Sequence, residues 1–432
     1  MSEVHLINAR LPLRDELDLY ELKAVNGVWV SVQKQERMVY MSESIPIQDI
    51  TPRYEHEEGR PVDLAGRIVL PGFVDAHTHL DKAFTIQNVK NRSGTLFEAI
   101  KNYNKVISSF TKEDIKRRIE QAVLQSVKNG TVAIRSHLNF PYEYGESIAF
   151  RTIYAALGAR ESLRDIVDIQ YVLMVPSREH SAEMWRAVEE AIKAGIDIIG
   201  GAPHVVHEHE RFTDELFKIA VKYNIPIDLH TDERDDPHIQ TISYLAEKTI
   251  AEGYQGKVTA GHLCTLSAIE PEKANTIINR MLEAELSAIT LPASNLYLQG
   301  REDEGPVRRG ITRVKELLHS GIKTAVASDN IQDPFHPFGN GDLLQAGLLT
   351  AYAAHMGSED ELQSLLQMIT SLPASILGLS QYGIEAGHPV RFVVCDAQTH
   401  IELFSNLSPN RWVYRDFQWL HVSRKNGEWG NI

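Results

Sequence analysis

Two histidines separated by one residue, His77 and His79 in PGFVDAHTHLDKAF (71–84), directly follow an apolar run. In an extended strand residues i and i+2 share a face, so both imidazoles project one way and Thr78 the other. Paired imidazoles at a strand end are a start on a metal site, and other runs end in similar residues. LHTDE (229–233) places His230 at a run's end with Glu233 just beyond, GH (261–262) ends a run in His262, and ASDN (327–330) ends one in Asp329. Three imidazoles and a carboxylate, with a position left to water, suit zinc or ferrous iron better than magnesium or calcium. Each residue also has a plainer reading alone. A lone buried histidine is usually a satisfied core residue, and an Asp before Asn is usually a helix cap or turn. Their shared setting separates the two readings.

That setting comes from the elements around them. Between about residues 68 and 330, β-branched runs alternate with helical periodicity, the pattern of repeated βα units and a parallel sheet. Eight runs are predicted as strands, at 67–79, 131–137, 168–176, 195–204, 225–233, 257–262, 286–292 and 322–330. Helical stretches separate them, such as ERFTDELFKIAVKYN with Phe212, Leu216, Ile219 and Ala220 on one stripe, and RVKELLHSG closed by a glycine. Eight strands with intervening helices predict an α/β (β/α)8 barrel, whose active sites lie at the C-terminal strand ends where His77, His79, His230, His262 and Asp329 fall. The flanks read as strands and hairpins: VWVSVQ after Asn26-Gly27, then RFVVCDA, RWVYRDFQ and a second turn at Asn426-Gly427. The expected division is a small β module from 1–66 plus 385–432, and a catalytic barrel from 67–384.

The chain's 432 residues are 43% hydrophobic and 24% charged, ordinary for a packed protein. Its net charge of −14 opposes binding to a phosphate backbone, so the expected partner is a small molecule and not nucleic acid. No apolar stretch is long enough to span a membrane, and the opening MSEVHLINARLPLRDE lacks the pattern of a signal peptide, so a cytoplasmic location is expected. Two cysteines, Cys264 and Cys395, rule out a thiolate zinc cage.

PGFVDAHTHLDKAF, HTDE, GHLCT and SDN, in this order, resemble the amidohydrolase superfamily, and within it the cytosine deaminase-like branch. The resemblance extends to AIRSHLN (133–139), IIGGAPH (198–204), NLYLQGREDEGPVRRGITRVKELLHSGI (295–322) and DPFHPFGNGDLLQ (333–345). It implies a distorted (β/α)8 TIM barrel with a small β-sandwich built from both termini. It also implies metal ligands His77, His79, His230 and Asp329, a proton shuttle at Glu233, and His262 as the residue that orients the hydrolytic water. Many members carry a carboxylated lysine at the fourth strand end that bridges two metals. Here Gly200-Gly201-Ala202-Pro203 stands there, so one divalent transition metal ion, zinc or iron, is expected.

Two departures bear on the substrate. Cytosine deaminases have a glutamine after the proline at the third strand end and usually two acids at the eighth, whereas this chain has Pro176-Ser177 and Asp329-Asn330. Serine is too short to replace a bidentate amide, and Asn330 offers a donor where an acid only accepts. Lys82 resembles the lysine of triazine-ring aminohydrolases related to N-isopropylammelide isopropylaminohydrolase, which tilts the substrate toward a ring bearing an oxo or anionic oxygen. Phe335 is expected to cover the pocket, Asp235 and Asp236 to cap a helix, and His137 and His204 to make structural hydrogen bonds. The expected activity is hydrolytic deamination of a nitrogen heterocycle or cyclic amidine other than cytosine. The alternatives are release of an N-alkylamine from a triazine-like ring or hydrolysis of a cyclic amide and, remotely, a catalytically silent scaffold; a homo-oligomer is compatible with each.

Overall fold

The computed structural model describes residues 3–15, 17–51, 60–178, 180–305 and 307–423. The expected turn at Asn426-Gly427 lies outside them. Each of the eight predicted runs marks one barrel strand, the second strand running two residues past its predicted end: Phe73–Thr78, Thr131–Asn139, Asp168–Met174, Ile198–Gly201, Ile227–Thr231, Val258–His262, Ser287–Thr290 and Thr324–Val326. They pair in chain order and in parallel. The first and last meet through a parallel bridge between Thr78 and Asp329. There Asp329 N–H donates to the carbonyl of His77 (2.9 Å) and His79 N–H donates to that of Asp329 (3.2 Å). The barrel therefore closes at the C-terminal strand ends, on the candidate residues themselves.

Helices seal the outside by the expected stripes. His209–Tyr223 buries Phe212, Leu216, Ile219 and Ala220, and Lys112–Lys128 buries Ile115, Ile119, Ala122, Val123 and Val127. Fully burying a leucine or phenylalanine side chain contributes about 1.5–3 kcal/mol, so such stripes outweigh the weak intrinsic helix propensities. Thr111 caps the second of these helices by accepting from Asp114 N–H (3.1 Å). Among the described residues, no helix is long and apolar enough to cross a membrane.

The run expected as one strand at 67–79 is two. Ile68–Pro71 belongs to the terminal sheet, between Glu3–Arg10 and Arg391–Cys395, and only Phe73–Thr78 enters the barrel. Gly72 is the joint: a Cβ there would stand 2.2 Å from Val132 Cγ1, so no side chain fits where the chain passes between sheets. An uninterrupted apolar pattern does not reveal such a break, because both halves are buried on both faces.

Among the described residues, the terminal module is a nine-stranded mixed sheet, with Leu19–Val25, Val28–Gln35, Ile45–Pro46, Val62–Asp63, Arg411–Arg415 and Gln418–Val422 completing it. It folds over on itself in the manner of a sandwich. Trp29 near one edge therefore meets Phe392 (ring centroids 5.6 Å), and Phe392 stacks on Tyr414 (5.2 Å).

Candidate active site

The first strand and the residue after it deliver Asp75, His77 and His79, although the pairing register slips between Asp75 and Thr78. Asp75 is buried at the bottom of this row and accepts from Ser328 N–H (3.1 Å) and Ser328 Oγ (2.5 Å), tying the first strand to the eighth. One step on, Thr78 Oγ1 donates to the carbonyl of Asp329 (2.7 Å). With the two bridge hydrogen bonds, this leaves the Asp329 backbone no freedom, although its φ of 60° is an unusual left-handed value for a non-glycine residue. Strain of this kind persists only where neighbours over-determine it, and here it aims the carboxylate at the histidines. Asp329 Oδ1 lies 3.4 Å from His79 Nε2 and 3.7 Å from His77 Nε2.

The fifth and sixth strands pair His230 with Gly261 and Thr231 with His262, a one-residue offset. Gly261 matters here because a Cβ would sit 3.3 Å from the His77 ring. His230 Nε2 and His79 Nε2 face each other at 3.1 Å. His79 Nδ1 lies 3.2 Å from the carbonyl of His137, which fixes Nδ1 as the donor and leaves the Nε2 lone pair free. His262 follows the same logic from the other side. Its Nδ1 lies 3.0 Å from Asn295 Oδ1, its Nε2 is buried without a partner, and Glu233 Oε1 lies 3.7 Å from Nδ1. His262 and Leu263 also have positive φ (69° and 55°), where the chain leaves the strand.

Several ligand atoms of this buried set have no hydrogen-bond partner. Both ring nitrogens of His77, Nδ1 of His230 and both carboxylate oxygens of Asp329 lack hydrogen-bond partners. His77, His79 and Asp329 offer ligand atoms within 4.8 Å of one another, as do His77, His137 and His230. Burial, followed by neighbouring cationic groups, pushes His77 and His79 well below the ordinary imidazole range, and His230 likewise, so all three are neutral with lone pairs available. Burial raises the Asp329 carboxyl, and Glu233 adds to the rise. Unpartnered neutral imidazoles around an unpartnered carboxylate fit a divalent transition metal ion, since leaving them unmet costs several kcal/mol.

A cavity of about 190 Å³ opens over this cluster, and His79, His230, Glu233, His262 and Asp329 lie on its floor. Lys82, Ser177, Asn330 and Phe335 also line it. Lys82 is 6% exposed, and its Nζ stands 4.7 Å from the Phe335 ring centroid. Leu96, Ile100 and Tyr103 of the helix Leu96–Val106, with Ile107 and Met174, make an apolar wall. The free amide donor expected at Asn330 is partly engaged, because Nδ2 donates to Asp333 Oδ2 (2.7 Å). Asp333 in turn accepts from Phe335 N–H (2.8 Å), so Asn330 and Phe335 share one anchor.

Two expectations fail in detail. Asp232, not Asp235 or Asp236, holds the start of the following helix, accepting from Thr241 N–H (2.8 Å), Thr241 Oγ1 (2.6 Å) and Ile242 N–H (3.2 Å). Asp236 only closes a turn onto His238 N–H (2.9 Å), and both carboxylate oxygens of Asp235 are unpartnered. His204 does make its structural bond, Nδ1 to the His230 carbonyl at 3.0 Å, but neither ring nitrogen of His137 has a hydrogen-bond partner. Sequence reasoning missed Asn295 and Asp75. An asparagine five residues past the seventh strand, in the short helix Pro292–Leu298, was the available signal for the first, and the i−2 position before His77 for the second.

With the site assembled, comparison with known proteins is informative. Residues 68–417 match the model of the Amidohydrolase family. The N-isopropylammelide isopropyl amidohydrolase of Pseudomonas sp. (strain ADP) is 30% identical over 381 residues, covering 84% of this chain and 90% of the relative. The pterin deaminase of Rhizobium rhizogenes is also 30% identical, over 380 residues, covering 85% of this chain and 84% of the relative. The solved structure of 5-methylcytosine deaminase from Klebsiella pneumoniae liganded with 5-fluorocytosine superposes with a TM-score of 0.88 at 29% identity, over 99% of both chains.

Proposed function

The chain belongs to the amidohydrolase family, and from that premise we propose that it is a metal-dependent aminohydrolase that removes an amino group from a nitrogen heterocycle or cyclic amidine other than cytosine. The observation that carries this reading is the convergence of His77, His79, His230 and Asp329, with unpartnered buried atoms on His77, His230 and Asp329, and with Glu233 and His262 beside them at one cavity. In this reading the first four hold one ion, zinc or ferrous iron, and the barrel (67–384) carries all the chemistry while the terminal module (1–66 plus 385–432) carries none.

When bound by these residues, a divalent ion would supply a water of lowered pKa that is nucleophilic near neutral pH. The protein's own groups manage the protons and the charge. Asp329, beside the cluster, accepts the proton released by the water. Attack at the amine-bearing ring carbon puts negative charge on the adjacent ring nitrogen, and Glu233 donates a proton to it. His262, its Nδ1–H held by Asn295, presents the Nε2 lone pair to the O–H of the attacking water and so orients it. The proton held by Asp329 then passes to the amino nitrogen, which leaves as ammonia, while Glu233 takes back the proton of the new hydroxyl as the ring carbonyl forms. Lys82, buried and without an acid in salt-bridge reach among the described residues, favours a substrate with an oxo or anionic oxygen at that edge; Ser177 and Asn330 complete the polar contacts, and Phe335 covers the ring.

The second reading, release of an alkylamine from a triazine-like ring, uses the same residues. The apolar wall of Leu96, Ile100, Ile107 and Met174 favours it. Glu233→Gln and wild type, both loaded with metal, are to be compared by mass spectrometry on pterin, isocytosine, creatinine, ammelide and N-alkylated triazines. The expected result is turnover that falls at least about 100-fold in Glu233→Gln while its metal content is kept. Near-normal turnover in that variant removes Glu233 from the mechanism, and the leaving group separates the two readings. The reading extends to a cytoplasmic enzyme, supported by two free buried cysteines, and to a homo-oligomer, for which exposed Phe338 and Tyr352 offer apolar surface.

A further inference from the structure

We infer that His137, its ring turned by the Asp228 carboxylate, is a positioning residue of the metal centre, holding His77 by ring contact and His79 through its backbone carbonyl. The inference rests on the metal reading above. His137 lies two residues before the end of the second strand, is completely buried, and has its ring centroid 3.9 Å from that of His77 at 31°. Its ring stands edge-on to His230, 4.8 Å between centroids. Its carbonyl accepts from His79 Nδ1 (3.2 Å), the contact that points His79 Nε2 at the cluster. Three of the four proposed ligands thus touch one residue that is not itself among them.

What holds His137 lies one layer deeper in the barrel. Arg135 and Asp228 stand two residues before His137 and His230 on their strands, so they face the same interior one step below. Asp228 Oδ2 accepts from Arg135 Nη1 (2.8 Å), and Arg135 is itself anchored by Gln170 Oε1 (3.0 Å) and the carbonyl of Ile376 (3.1 Å). The other oxygen, Asp228 Oδ1, has no hydrogen-bond partner and faces His137 Nε2 at 3.6 Å. That gap is a few tenths of an ångström beyond hydrogen-bond reach. With His137 Nε2–H turned to Asp228, a continuous chain runs from the anchored Arg135 through Asp228 and His137 to the ligands. Carboxylates and carbonyls behind metal-bound histidines fix ring orientation and basicity in this way.

His137→Phe keeps the ring and approximately its volume but removes the N–H toward Asp228; His137→Gln returns an N–H and removes the ring. The test measures zinc affinity by chelator competition, the visible spectrum of the cobalt-substituted protein, and the melting midpoint of the metal-free protein. The expected result is one ion per chain bound 10–100-fold more weakly in His137→Phe, with shifted cobalt bands and a metal-free midpoint close to wild type. If His137→Phe does not fold, the same measurements on His137→Gln decide. Wild-type affinity and an unchanged cobalt spectrum in a folded variant overturn the inference. So does a cobalt spectrum that reports one fewer nitrogen ligand, because His137 would then be a ligand and not a support. A wild-type protein that binds no stoichiometric metal is a different outcome: it removes the metal reading itself.

Discussion

Removing the ion is expected to lower the melting temperature by about 4–5 °C, and the structure says which variants abolish that difference. The metal-free protein buries His77, His230 and Asp329 with donor atoms unmet, so an ion that binds them binds only the folded state. Mass action then stabilises the fold by roughly 4.1 kcal/mol at a free-ion concentration of about 1,000 times Kd. Unfolding entropy of about 2.1 cal/mol/K per residue, over 432 residues, is roughly 900 cal/mol/K. Dividing the first by the second gives about 4.5 °C. His230→Ala and Asp329→Asn each remove a proposed ligand, so the metal-dependent shift should vanish in both, whereas Glu233→Gln should retain it. The assay is scanning calorimetry of chelator-treated and zinc-reloaded protein, with metal per chain measured on the same samples. If the loaded and stripped wild type melt together, or if Asp329→Asn keeps the full shift, the convergence of these donors does not mark a metal site.

Other perturbations test the supports of the cavity. Gly339→Ala would place a Cβ 1.8 Å from the carbonyl oxygen of Asn330; this clash is with backbone and cannot be relieved by a rotamer change. It should destabilise by about 1–3 kcal/mol in urea titration, and an unaltered midpoint would show that the loop gives way freely. Burial raises the Asp333 carboxyl to about 7, the largest cause, with Lys82 opposing it. A folded-state pKa raised above the unfolded value of about 3.9 gives stability that is fully present below pH ~4 and lost as pH rises through ~7. Asp333→Asn should therefore gain on wild type by roughly 3 kcal/mol between pH 5 and pH 8, whereas parallel pH profiles would contradict the burial argument. Lys82→Met should raise KM at least about 10-fold for substrates with a ring oxygen at that edge while leaving kcat within a few-fold, the pattern of lost ground-state binding. An unchanged KM would place the substrate away from Lys82.

The barrel was legible because a parallel sheet buried on both faces leaves continuous β-branched runs, and the helices between them carry stripes of period 3.6. Strand ends were legible for the same reason: His230, His262 and Asp329 are the polar residues that terminate apolar runs. The double strand at 67–79 was not, because Gly72 alone marks the passage from one sheet to the other, and its meaning depends on Val132, sixty residues away. The capping role of Asp232 was likewise hidden, since Thr241 lies nine residues on, beyond the spacing of an ordinary N-cap.

By itself, then, the sequence determined the kind of elements present, the residue types available for chemistry, and the end of each strand at which those residues sit. These follow from local periodicity and from i, i+2 geometry, which need no partner. Only the tertiary structure decided which groups meet. Closure of the first strand on the eighth aims Asp329 at His77 and His79, Asn295 selects the free nitrogen of His262, and the second strand brings His137 against His77. Those contacts join residues from 33 to more than 250 positions apart, and their geometry comes from barrel closure and register, which no local pattern encodes.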